Sequence, residues 1–278
     1  MAKKVKRPQQ RIPSPKKPAA AKKKPSFQEE EGKKKVLHIG WNSAVTQSLH
    51  TRFKTPEWQE IRLDQDPNTQ PDFVAPLTNM KVIPDASIDA IWMQHVLQRF
   101  IITDVPQILR ECFRVLKPMG YVFLSVPDGQ AAAAYVAHSR VDEILFQTPL
   151  GAITAMDLLY GFRLHLERGW QHQAHRCLMT ADILGLVMRD SGFTNIRIQR
   201  RNTFDMMAVG YKYPYDHADR AEKVEIISDV NKGVPKPGEL PTPAASPRPV
   251  AQLKGKLGLP DELMIPPARW KPLGLKKK

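Results

Sequence analysis

The chain has 278 residues and a formal net charge of +14, which suits one folded domain of ordinary size with extensions. Residues 1–35 carry +10 and residues 232–278 carry +7, which leaves −3 for residues 36–231. No stretch approaches 18 apolar residues, and the two cysteines form neither a disulfide framework nor a zinc-binding pattern. We expect a cytoplasmic protein without a membrane span. Its basic ends could contact nucleic acid or another polyanion, and the alternative is that they only solubilise the chain.

Both ends of the chain have the composition of disordered segments. Residues 1–32 are rich in Lys and Pro, and residues 214–278 are rich in Pro and Lys. Such segments lack the apolar side chains that a folded core needs. We therefore predict a disordered basic tail at 1–32, one folded domain at 33–213, and a mostly disordered tail at 214–278.

Apolar runs between the tails alternate between strand and helix periodicity. Short runs predict the first four strands, at 36–39, 61–64, 73–75 and 88–93. Ser43 to Phe53 reads as a helix between the first two strands. Thr103 can cap a further helix, which Lys117-Pro118 would end, and residues 121–126 form a near-continuous apolar strand.

The second half of this region continues the alternation. Residues 140–168 look helical, and a capped helix at 180–191 would stop at Gly192. Residues 195–199 and 204–211 predict two final strands, expected as an antiparallel pair. The pattern predicts an α/β fold with a doubly wound, mostly parallel sheet and an antiparallel last strand. Such sheets bind ligands beyond the carboxyl ends of their strands, so the functional residues should follow strands one to four.

Three positions at these strand ends could carry chemistry. Gly40 follows the first strand and would let a nucleotide-like ligand approach the backbone, although a plain turn has the same pattern. Asp64 ends the second strand and could accept both ribose hydroxyls of a nucleoside; Asp66 is its rival, and a solvated turn is the alternative. His95 follows the fourth strand and could be a general base or a structural histidine.

Three stretches of the sequence carry a resemblance to a known family. They are Leu37-His38-Ile39-Gly40, the segment 83–91, and the run from Val96 through Arg114-Val115-Leu116-Lys117-Pro118-Met119-Gly120 to Ser125-Val126-Pro127-Asp128. Together they resemble the class I methyltransferases that use S-adenosylmethionine (SAM), and among these the small bacterial methyltransferases of type 11. The last run is the most specific. The resemblance implies a Rossmann-like domain between the two tails.

The same resemblance implies an enzyme that transfers a methyl group from SAM to an acceptor that the sequence does not identify. It implies a set of cofactor-binding residues, which are His38, Gly40, Asn42, Asp64, Thr78, Asn79, Met80 and Gln94. His95 is the candidate catalytic residue, as a general base beside the acceptor. No metal ion is expected.

Several positions on the cofactor side depart from the family pattern. Gly40-Trp41-Asn42 stands where the family usually has Gly-Cys-Gly, and Asn42 can still adopt a left-handed turn. Pro76 replaces an acid expected near the adenine, Gln98-Arg99 replaces a Glu-His pair, and Met119 replaces a turn glycine. The alternative hypothesis is therefore a non-catalytic methyltransferase-fold scaffold that binds a polyanionic partner through its basic tails.

Overall fold

A computed structural model describes most of the central region and one later segment, namely residues 30–40, 49–148, 150–201, 203–213 and 224–228. The strands are β1 (Lys34–Ile39), β2 (Trp58–Asp64), β3 (Phe73–Val74), β4 (Ile88–Gln94), β5 (Leu116–Pro127), β6 (Ile144–Thr148), β7 (Gly151–Thr154), β8 (Thr194–Arg200), β9 (Asp205–Tyr211) and β10 (Val224–Ser228). The helices are α1 (Val105–Val115), α2 (Gly129–Ala137), α3 (Ala155–Tyr160), α4 (Arg163–Glu167) and α5 (Ala181–Asp190).

Eight of the strands form one sheet with the order β10-β8-β9-β5-β4-β1-β2-β3. β9 runs antiparallel to both of its neighbours, β5 and β8, whereas the other neighbouring pairs are parallel. The predicted α/β fold, with a mostly parallel sheet and an antiparallel strand near its end, is confirmed. The chain moves outward from β1 to β3 on one side and from β4 to β5 on the other. This reversal creates a crevice at the carboxyl ends of β1 and β4.

Both faces of the central strands are buried, which explains their continuous apolar runs. Leu37 and Ile39 of β1 pack into the main core and are fully buried. Val36, on the opposite face of the same strand, packs with Phe53 and Trp92 in a second cluster. β1 is therefore fixed from both sides, and the turn that follows it is held in place at the crevice.

Helix α1 follows its predicted pattern closely. Its buried residues recur at three- and four-residue steps and are Val105, Ile108, Leu109, Cys112 and Val115. The helix begins after Asp104 rather than Thr103, and it ends at Val115 because the chain joins β5 at Leu116, before the expected stop. Nζ of Lys212 donates hydrogen bonds to the carbonyls of Phe113 (2.8 Å) and Leu116 (2.7 Å) at this end. These bonds satisfy carbonyl groups that a helix end leaves open.

The prediction of helix across 140–168 is wrong in its first half. Strands β6 and β7 form a separate antiparallel hairpin, and the short helices α3 and α4 follow it. Pro149 cannot donate a helical hydrogen bond, and Gly151 adopts a φ of +137° that suits a turn. Sequence reasoning also missed α2, whose first turn is capped by Asp128 through a hydrogen bond from the amide of Ala131 (3.0 Å).

Strand β10 lies inside the segment that the sequence predicted as the second tail. It pairs in parallel with β8 and forms the edge of the large sheet. Residues 1–29, 214–223 and 229–278 of the predicted tails lie outside the described residues, as do residues 43–48 of the helix predicted at 43–53. The end of that helix prediction, Thr51–Phe53, forms a single 3-10 turn. Among the described helices, none is both long enough and apolar enough to cross a bilayer.

Candidate functional site

A cavity of about 650 Å³ opens at the carboxyl edge of the sheet. Gly40 after β1, Asp64 at the end of β2, Leu77 after β3 and Val96 after β4 all line it. The loops after the first four strands therefore meet at one cavity, as the parallel order of these strands requires.

The backbone of Gly40 lies close to the side chain of Val96. Its φ is +77°, and a Cβ at this position would stand 2.4 Å from Cγ2 of Val96. Its amide donates a hydrogen bond to the carbonyl of Leu63 (3.1 Å), which continues the pairing of β1 with β2. Only glycine combines this backbone conformation with this approach. Asn42, the next predicted cofactor residue, lies outside the described residues.

His38 supports the floor of the cavity rather than lining it. Its side chain is fully buried, and Nδ1 lies 2.6 Å from Oε1 of Glu60 on β2. His38 lies on the face of β1 opposite to Leu37 and Ile39. The contact with Glu60 joins the two strands that carry Gly40 and Asp64.

Both rival acids after β2 line the cavity. Asp66 accepts hydrogen bonds from the backbone amide and the Nδ2 of Asn68, at 2.9 and 2.8 Å. Asp64 accepts hydrogen bonds from the backbone amides of Asp66 (2.8 Å) and Gln65. Burial raises the pKa of Asp64, and the positive charge of Arg99 opposes that shift. Both carboxylates are engaged in turns, and the assignment of Asp64 to the ribose stays a prediction.

The loop after β3 contributes Leu77 to the cavity, whereas Thr78, Asn79 and Met80 are not among the lining residues. The carbonyl of Thr78 accepts a hydrogen bond from Nε2 of Gln107 (3.0 Å), and the side chain of Met80 is fully buried in the core. The contacts of these three residues with an adenine stay a prediction.

Gln94 and His95 follow β4 and do not line the cavity as it stands. His95 has a φ of +50°, unusual for a residue with a side chain, and its amide donates to the carbonyl of Ser125 (2.9 Å). Burial lowers the pKa of His95 to about 4; the charge of Asp205 opposes the shift, and Arg99 and His175 add to it. The imidazole is therefore neutral at physiological pH.

Sequence reasoning missed one wall of the cavity. Arg99 after β4 lines it together with three residues from a distant segment, which are His172, Gln173 and Arg176. Burial lowers the pKa of Arg99 to about 10, and Asp64 opposes that shift. No local pattern marks these residues as neighbours, because they meet only through the folding of the chain. The single sequence signal was the replacement of an expected Glu-His pair by Gln98-Arg99.

The sheet order, the antiparallel β9, the glycine turn after β1 and the acid at the end of β2 together define a class I methyltransferase fold. The family model described as a methyltransferase domain, of type 11, matches residues 49–124. This part of the chain is therefore similar to the SAM-dependent methyltransferases of type 11, the family that the sequence resembles.

Solved structures of SAM-dependent methyltransferases are similar to the chain at low identity. One from Archaeoglobus fulgidus is 12% identical, with a TM-score of 0.45, over 65% of this chain and 87% of that one. One from Methanosarcina mazei is 16% identical, with a TM-score of 0.43, over 66% of this chain and 94% of that one. No curated protein matches the sequence.

We predict that Asp64→Asn weakens the binding of S-adenosylhomocysteine, the demethylated product of SAM, about tenfold, because a charge-assisted hydrogen bond to the ribose is lost. The same change should not lower the free energy of unfolding at neutral pH. The folded-state pKa of Asp64 lies above its unfolded value, so its ionisation costs stability as the pH rises through that raised pKa.

Calorimetric titration and urea unfolding measure the two effects. Asp66→Asn is the matched control and should change the affinity less, since Asp66 lies beyond the end of β2, whereas Asp64 ends the strand. If Asp66→Asn weakened the product more than Asp64→Asn did, the assignment of the ribose acid would be reversed.

Proposed function

We propose that the cavity at the carboxyl ends of β1 to β4 binds SAM and that the domain transfers the SAM methyl group to an acceptor. The observation that carries this proposal is the meeting of Gly40 and Asp64 in one cavity of about 650 Å³. That volume lies within the usual range for sites of small ligands and cofactors. Gly40 lines this cavity without a side chain, so a ligand there can approach its backbone.

Each of the lining residues named here would contact a different part of SAM. Asp64 would accept the ribose hydroxyls, Leu77 would contact the adenine side, and Gly40 would admit the methionine part. His38 would act indirectly, by holding β1 against β2 through Glu60. When it is bound, SAM supplies an electrophilic methyl group. The main task of the protein is then to align the acceptor with that methyl group and to exclude water.

We propose His95 as the general base. Its imidazole is neutral, so a ring nitrogen can accept a proton from an acceptor hydroxyl or amine. Because burial lowers its pKa, it is a weaker base than an ordinary histidine and would take the proton late in methyl transfer. Its left-handed backbone conformation supports this role, since strained conformations of this kind cluster at functional sites. His95 does not line the cavity. A base role therefore requires the acceptor to enter from the side of His95.

We propose further that the basic ends of the chain contact nucleic acid or another polyanion. The support is the sequence charge of +10 over residues 1–35 and +7 over residues 232–278, against −3 for the region between them.

We also propose a cytoplasmic location. Burial raises the pKa of the free Cys112 thiol to about 12, and that of Cys177 to about 11. Free, unreactive thiols of this kind are typical of proteins in a reducing compartment. Titration of two free thiols per chain in protein isolated from cells would support the cytoplasmic location.

The test of SAM binding is calorimetric titration with SAM and S-adenosylhomocysteine. We expect dissociation constants in the micromolar range, and Gly40→Ala should weaken both ligands at least about tenfold, because its new methyl group meets Val96. Gly169→Ala is the matched control: Gly169 also has a positive φ, of +85°, but no atom lies within 4 Å of its added Cβ. Absence of binding at millimolar ligand would favour the scaffold hypothesis instead.

His95→Asn should lower the rate of methyl transfer about a hundredfold while changing SAM affinity little, because asparagine tolerates the left-handed backbone but cannot act as the base. The rate is measured from methyl-labelled SAM with an extract of small metabolites as the acceptor. Because the pKa of His95 is about 4, its ionisation should produce no inflection between pH 6 and pH 8. His138→Asn serves as the control, and an unchanged rate in His95→Asn would refute the assignment.

Removal of residues 1–32 should weaken binding to a DNA or RNA duplex in a gel-shift assay, because about ten lysine and arginine side chains would be lost. The affinity of the intact chain should fall steeply between about 50 mM and about 200 mM salt, and that of the shortened chain should fall less. Equal affinities of the two proteins at both salt concentrations would contradict the proposed role of this end.

A further inference from the structure

One wall of the cavity is formed by a segment that follows α4, and we call residues 171–177 the wall segment. Its backbone is tied to the turn after β4: the amides of Arg176 and Cys177 both donate to the carbonyl of Gln98, at 2.7 and 3.2 Å. This double contact places His172, Gln173 and Arg176 along the same cavity as Asp64. The wall segment therefore belongs to the site, although its sequence lies far from the strand ends.

Gln173 presents a hydrogen-bond donor that is not satisfied. Its side chain is 7% exposed, and among the described residues its Nε2 has no hydrogen-bond partner. A buried amide group without a partner is costly, and native proteins rarely keep one without a ligand or water to bond it. Gln173 lines the cavity, but its Nε2 is itself buried, so the side chain must turn toward the cavity for Nε2 to reach an acceptor atom of a ligand there.

Arg176 adds a positive charge close to this donor. It is exposed at the cavity, and its guanidinium forms no hydrogen bond or ion pair within the part of the chain that the structure describes. Arginine binds carboxylate and phosphate groups through two parallel hydrogen bonds, which gives both strength and orientation. Arg99, next to Gln98, contributes a second guanidinium to the lining.

The charged residues of the lining come from several parts of the chain. The acids are Asp64 and Asp66 at the end of β2 and Asp104 before α1, and the cations are Arg99 in the turn after β4 and Arg176 in the wall segment. The acids suit the ribose and the positive charge of SAM. The cations and the amide of Gln173 suit a negatively charged second ligand.

We propose that Gln173 and Arg176 bind an oxyanion, a carboxylate or a phosphate, on the methyl acceptor. This inference rests on the proposed function, because it assigns the second ligand of the same cavity. The acceptor is then a small anionic molecule, held by the amide of Gln173 and the guanidinium of Arg176. The competing occupant of these groups is the carboxylate of the cofactor's own methionine part, and the experiment separates the two.

The full-length protein, saturated with S-adenosylhomocysteine, is titrated in a calorimeter with sodium phosphate and, separately, with sodium acetate at constant ionic strength. The double variant Gln173→Ala, Arg176→Ala and the single variant Arg176→Lys are compared with the wild type. Arg110→Ala is the matched control, since it removes an exposed arginine of α1 that does not line the cavity. This control accounts for the loss of one exposed positive charge outside the cavity, while anions that bind to the basic ends bind equally to every variant.

We expect the dissociation constant of the preferred anion to rise about tenfold or more in the double variant, less in Arg176→Lys, and not at all in Arg110→Ala. The tighter of the two probes identifies the oxyanion as phosphate or carboxylate. Product affinity, measured in the same proteins, should change less than about threefold.

Two results would overturn this assignment. Equal anion affinity in the wild type and the double variant would show that the cavity does not bind the anion. A loss of about tenfold or more in product affinity in the double variant would assign the two side chains to the cofactor's carboxylate instead. A wild type that binds no product at all would contradict the proposed function, and the acceptor role would fall with it. In that case, a loss of anion binding in the double variant would show only that the two side chains bind an anion.

Discussion

The close approach of Gly40 to Val96 is the constraint on which the site depends. β1 and β4 are neighbours in the sheet, and their following turns come so near that a Cβ on Gly40 would stand 2.4 Å from Cγ2 of Val96. The turn must therefore keep a left-handed backbone without a side chain. Because β1 is buried on both faces and bonded to β2 and β4, the position of this turn is fixed by the core of the protein.

This rigid edge explains how a chain with an altered cofactor loop can keep the geometry of the site. Trp41 and Pro76 change the chemistry of the loops, but the strand ends that carry Gly40 and Asp64 are set by sheet pairing and burial. The acid of β2 is desolvated, and Arg99 of the turn after β4 partly offsets its charge. The floor of the cavity is thus set by the strand ends, and its walls include Arg99, Gln173 and Arg176.

The sheet could be predicted from the sequence because its central strands are buried on both faces and read as continuous apolar runs. Two regions with weaker sequence patterns could not be predicted. The mixed apolar pattern over the hairpin of β6 and β7 has no clear period and so does not predict strands, and β10 is a short strand isolated among polar residues. Asp64 and Asp66 both line the cavity, so the binding measurements on their variants decide between them. The wall formed by Gln173 and Arg176 depends on contacts across the chain that leave no trace in local periodicity.

A crystal structure of the complex with S-adenosylhomocysteine tests the central claim most directly. We predict that the product lies in the cavity, with both ribose hydroxyls within hydrogen-bond distance of the Asp64 carboxylate and with its homocysteine part passing over Gly40. Gln173 and Arg176 should then remain available to a second ligand. A product molecule bound elsewhere, or bound in the cavity with its ribose away from Asp64, would contradict the account.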